Sequence, residues 1–79
     1  MSLKSDVPVS YCIQVNGAMG ERWARYFGDA AIEQAGVPDS PITVLTGCAQ
    51  DQAALIGIVN TLYGLGLELL YCECKYSDE

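Results

Sequence analysis

The chain has 79 residues, and its ten acidic against four basic side chains leave a formal charge of −6. That balance argues against nucleic acid, whose phosphates need Lys and Arg partners, and against anionic membranes. Histidine is absent altogether, which removes the commonest general base, the Ser–His and Cys–His nucleophile pairs and the usual catalytic zinc set.

A domain this short buries only about 60% of the surface its unfolded chain exposes. Yet 51% of the residues are apolar, so some apolar surface is expected to meet a partner. Residues 1–10 read as a flexible N-terminal segment, and Met1 to Asp6 lacks the apolar stretch of a secretory signal. No apolar run reaches the roughly 18 residues that a bilayer demands. A cytoplasmic setting is expected, in which the four cysteines stay reduced.

Tyr11 to Asn16 alternates, with Tyr11, Ile13 and Val15 on one side and Cys12, Gln14 and Asn16 on the other. Period two ending at Asn16-Gly17 predicts a half-buried strand and a turn. Glu21 to Phe27 follows as a short helix closed by Gly28, with Trp23 and Phe27 sharing a face. Two turns do not persist alone in water, so packing of those aromatics must hold them. Ala30 to Gln34 is a weak strand candidate. Ala35 to Pro41, with two prolines and a glycine, reads as a loop without regular structure.

Ile42 to Thr46 supplies β-branched residues for a third strand. The main helix begins near Asp51, whose carboxylate caps the first turn. Leu55, Ile58, Val59 and Leu62 then form one apolar stripe that Leu65 extends, and Gly66 is the left-handed stop. Gly57 stands inside this helix, where glycine costs about 1 kcal/mol relative to alanine, so close backbone approach is expected there. Leu67 to Lys75 makes the last strand, with its register open because Leu69, Leu70, Tyr71 and Cys72 are all apolar.

This order predicts an α+β fold, a ferredoxin-like two-layer sandwich: βαββαβ, a four-stranded antiparallel sheet in the order 4-1-3-2, both helices on one face. The domain spans residues 11–76, and 77–79 form a polar tail. Strands one and three are expected to lie centrally and to run parallel.

Several pieces of the chain also resemble a known group. They are Ile13-x-Val15-x-Gly17, Arg22-Trp23 with Phe27-Gly28, Thr43-x-Leu45-x-Gly47, Asp51-Gln52-Ala53-Ala54-Leu55-x-Gly57 and Leu65-Gly66-Leu67. Together they are similar to small uncharacterised prokaryotic proteins, over most of residues 11–71. The 51–57 piece is the most specific. Those proteins usually carry a histidine where this chain has Ile56, so any role of that side chain is absent here. The group has no assigned activity; the resemblance implies the fold and supplies no function.

Parallel central strands would bring the loops after strands one and three to the same end of the sheet. Asn16, Gly17, Glu21 and Arg22 would then meet Gly47, Cys48, Asp51 and Gln52 beside a helix N-terminus, where α/β proteins bind small ligands. The bland alternative is a structural tie, with Arg22 pairing Asp51 and Asn16 closing a turn. Cys72-x-Cys74 places two thiols on one strand face with Cys12 on the neighbouring strand. Three thiolates suit a soft metal or disulfide cycling, but metal sites draw four donors from turns. A buried apolar role is therefore expected for these cysteines, and no metal, cofactor or catalytic residue is assigned. Cys48 precedes the main helix, where free amides favour a thiolate and the Asp51 charge opposes one.

Helices on one face leave Cys12, Gln14, Thr46 or Leu45, and Leu70 or Cys72 on the other. With Tyr26, which points away from the core, the candidate interface residues are Cys12, Gln14, Tyr26, Leu70 and Cys72. The expectation is a non-enzymatic homodimeric module of regulation or assembly. A small-molecule sensor using the loop site, or a thiol or metal protein, are the alternatives.

Overall fold

A computed structural model describes residues 7–20, 23–27 and 30–76. In chain order the elements are β1 (Val9–Asn16), a single helical turn α1 (Trp23–Tyr26), β2 (Ala31–Val37), β3 (Ser40–Ala49), α2 (Gln52–Gly64) and β4 (Glu68–Tyr76). The strands form one four-stranded sheet in the order β2-β3-β1-β4, and every neighbouring pair is antiparallel. None of the described helices is long and apolar enough to cross a membrane.

The α+β class and the antiparallel sheet are as expected, and two parts of the expectation are corrected. The ferredoxin-like βαββαβ arrangement is not reproduced, because among the described residues between β1 and β2 only the four of Trp23–Tyr26 are helical; the expected helix residues Glu21 and Arg22, and its stop Gly28, lie outside the described residues. The central strands β1 and β3 run antiparallel, with Val9 opposite Ala49 and Asn16 opposite Ile42. A chain that alternates direction at each step of this order has no parallel neighbours.

β1 starts two residues earlier than expected, so the expected flexible segment 1–10 ends inside a strand. Val9 continues the alternation of Tyr11, Ile13 and Val15, and all four are buried. β2 and β3 extend through most of the expected loop, because Pro38 and Asp39 alone make the turn. Gly36 is what lets them meet: its φ is 78°, and a Cβ there would fall 2.5 Å from the Ser40 carbonyl.

Asp51 caps α2 through a 2.9 Å hydrogen bond from the Ala54 amide to its Oδ1. Gly66, with φ 83°, closes it. The Gly66 and Leu67 amides donate to Tyr63 and Leu62 carbonyls at 3.0 and 3.2 Å, the paired bonds of a Schellman stop. Leu55 and Leu62 are buried against the sheet, and Ile58, Val59 and Leu67 pack half-buried beside them. Leu65 instead faces outward, 40% exposed, since the Gly66 turn lifts it off the sheet. The core is completed by Met19, Phe27, Ala30, Thr43, Leu45 and Ala49.

The register of β4 is settled by an irregularity. Val15 pairs with Leu69 and Gln14 with Tyr71, so Leu70 is an extra residue. Four consecutive apolar residues cannot alternate on a two-sided strand, and the bulge absorbs the mismatch.

Candidate functional site

Antiparallel central strands separate the expected ligand site into two ends. Asn16 sits opposite Ile42, seven residues along β3 from Ala49, a span of about 23 Å at the usual strand rise. At the first end Asn16 Nδ2 donates to Glu68 Oε1 at 3.2 Å. Gly17 donates its amide to the Pro41 carbonyl at 2.8 Å and accepts from Thr43 Oγ1 at 2.7 Å. These bonds tie the sheet end together. Arg22 lies outside the described residues.

At the other end stand Gly47, Cys48, Asp51 and Gln52. Gly47 is half-buried opposite Tyr11, and a Cβ there would lie 2.7 Å from the Tyr11 hydroxyl, so this glycine makes room for that ring. The Tyr11 side chain is 4% exposed and its hydroxyl has no partner among the described residues. Burial, and then the nearby Cys48, push the Tyr11 pKa above the ordinary tyrosine value. Asp51 is committed to the helix cap.

Beside Cys48 an open cleft of about 530 Å³ lies between α1, the end of β3 and α2, with Tyr26, Phe27, Gln50, Gly57 and Thr61 among its lining. Phe27 is buried and Tyr26 is 64% exposed, and their rings meet edge to face at 5.3 Å. Thr61 Oγ1 is occupied by the Gly57 carbonyl at 2.9 Å. Among the described residues no carboxylate or amine lines the cleft. Of the expected ligand residues that are described, it gathers only Cys48. Gly57 corrects the expectation of close backbone approach: nothing lies within 4 Å of where its Cβ would be. The signal in the sequence was the run of small residues Ala54, Gly57 and Thr61 on one helical face.

The expected interface residues are also redistributed. Cross-strand partners share a sheet face. Cys12 faces Glu73 and Gln14 faces Tyr71 across β1–β4, while Cys72 and Cys74 face Ile13 and Tyr11 on the helix side. Leu70 belongs to the bulge, and Thr46, not the buried Leu45, is on the uncovered face. Tyr26 is at the cleft, on neither surface.

The three strand thiols therefore do not converge. Cys72 and Cys74 are exposed, not core, on a strand that is exposed along its length up to Tyr76. Burial, then Cys74 and Cys12, raise the Cys72 pKa. On the uncovered face Tyr71 donates to Glu73 Oε1 at 2.8 Å, and this bond, followed by the carboxylate's charge, raises the Tyr71 pKa.

A second concavity of about 350 Å³ runs between α2 and β4, lined by Val59, Leu62, Tyr63, Leu67 and Leu69. Next to it Tyr63 is 82% exposed and Leu69 and Leu70 are each 48% exposed, while Tyr71, on the opposite face, is 46% exposed. The sequence identified Leu70 and Cys72 in this region and missed Tyr63 and Leu69.

A family model described as a domain of unknown function, DUF8691, matches residues 10–73. Comparison with curated proteins and with solved structures finds no match.

Proposed function

The chain belongs to this family of domains of unknown function, and we propose from its geometry that it is a non-enzymatic, cytoplasmic, self-associating module, a homodimer serving regulation or assembly. The observation that carries this is the outer strand β4. Leu69 and Leu70 lie about half exposed along it, with Leu69 lining an apolar groove beside the largely exposed Tyr63, and Tyr71 is about half exposed on the opposite face. Among the described residues no element besides α2 lies over β4, and a long apolar edge strand is a template for another chain. Four cysteines that form no disulfide suit a reducing compartment. Size-exclusion chromatography with light scattering at micromolar concentration tests the reading. Twice the 8.5 kDa chain mass is expected, and a clean monomer overturns it.

A second reading, a small-molecule sensor, is favoured by the cleft between Tyr26, Phe27 and Gly57. Its ligand would be small, flat and largely apolar, held by the aromatic wall with Cys48 and Gln50 at the rim. Thermal-shift screening against amino acids, nucleotides and aromatic metabolites tests it. A ligand whose shift survives Gln50→Ala and Cys48→Ser together does not use this cleft.

A further inference from the structure

The faces of β4 specify how a second copy would dock, and this deepens the self-association proposed above and rests on it. Pairing with β1 puts Glu68, Tyr71, Glu73 and Lys75 on the uncovered face and Leu69, Cys72 and Cys74 on the helix face, with Leu70 left over at the bulge. Two copies that join β4 to β4 about a two-fold axis run antiparallel, and residues of the same face come opposite one another. Only a few registers satisfy that condition, and charge selects among them.

Centring the axis on Tyr71 sets Glu68 against the partner's Glu73, twice. A centre on Glu73 sets that carboxylate against itself. Like charges directly opposed destabilise a strand pair. A centre on Cys74 matches Glu73 with the partner's Lys75 but overlaps only the last residues of the strand. Centring on Cys72 overlaps nearly the whole of β4 (Glu68–Tyr76) and sets Glu68 against the partner's Lys75 on both sides of the axis. Leu69 then meets the partner's Cys74, and Tyr71 meets the partner's Glu73. Glu68 is already positioned on the uncovered face by Asn16 at 3.2 Å.

We propose that the domain dimerises through antiparallel β4–β4 pairing centred on Cys72, with Glu68 and the partner's Lys75 forming the two flanking ion pairs. The two sheets become one of eight strands, both α2 helices lie on the same side, and the two α2–β4 grooves join into a trough over the seam. The bulge leaves Leu70 outside both ladders.

The native thiols report the register. Directly opposed residues of an antiparallel pair have Cα atoms about 4.5–5.5 Å apart, within the roughly 4.4–6.8 Å that a disulfide spans. In this register Cys72 meets its own copy. Cys72 and the partner's Cys74 are diagonal neighbours at about 7–8 Å, beyond that reach. Diamide oxidation of the full chain supplies the oxidant: two thiols give up two electrons and two protons to the diazene, which becomes the hydrazine. A covalent dimer is expected in the wild type and in Cys12→Ser, Cys48→Ser and Cys74→Ser, and its loss in Cys72→Ser. Cys72 and Cys74 are exposed, so these variants keep the fold, which circular dichroism checks. Independently, Lys75→Glu is expected to weaken the dimer about tenfold, and adding Glu68→Lys to restore it. A light-scattering dimer that crosslinks through Cys74, or not through Cys72, overturns this register and leaves self-association standing. A monomer overturns both.

Discussion

Replacing Gly57 by alanine is expected to stabilise the domain, which is unusual for a change at an interior helix position. Gly57 lies in the middle of α2 (Gln52–Gly64), where glycine is worth about 1 kcal/mol less than alanine because it gives up more backbone freedom on folding. The new Cβ meets nothing within 4 Å, so no steric term opposes the gain. For a domain of this length 1 kcal/mol shifts the midpoint by about 4–8 °C. Scanning calorimetry and urea unfolding followed by Trp23 fluorescence measure the change. Gly47 supplies the contrast, since a Cβ there would lie 2.7 Å from the Tyr11 hydroxyl and 3.0 Å from Cζ. Gly47→Ala must displace a buried ring and is expected to lose about 1–3 kcal/mol. A Gly57→Ala variant that melts lower than wild type, at a concentration where both are monomeric, refutes the open placement of this helix face.

Asp51→Ala removes the acceptor of the Ala54 amide and is expected to lose about 1 kcal/mol by urea unfolding. Thr43→Val keeps the shape of a fully buried side chain but deletes its 2.7 Å bond to the Gly17 carbonyl. A loss of about 1–2 kcal/mol is expected, and a neutral result would show that the bond is dispensable. Tyr11→Phe tests the raised tyrosine pKa. As pH rises past about 10, the unfolded chain releases the Tyr11 proton while the folded chain holds it. The folded state then binds more protons, and stability falls with pH until the folded pKa is passed. The phenylalanine variant is expected to show a shallower decline of the urea midpoint between pH 9 and 11, and an unchanged slope would contradict the burial of that hydroxyl.

Local signals carried much of the fold. The alternation of Tyr11, Ile13 and Val15, the Asp51 cap and the Gly66 stop each involve residues a few positions apart, and each appears where the spacing placed it. The β-rich content and the sheet order were also legible, since short connections leave few topologies. What failed was relational. Strand direction follows from the whole path of the chain, and misjudging it for β1 and β3 joined two sheet ends that lie a strand-length apart.

The cysteines show the same limit in another form. An apolar run such as Leu69 to Cys72 looks like core by composition, but burial depends on whether another element lies above it. α2 buries Leu55 and Leu62 against the sheet and meets β4 only beside an open groove at Leu69, so β4 carries core-like residues on a surface. That mismatch between a strand's composition and its exposure is what the proposed β4–β4 pairing would resolve, by filling the strand edge with hydrogen bonds and shielding Leu69 and Cys72.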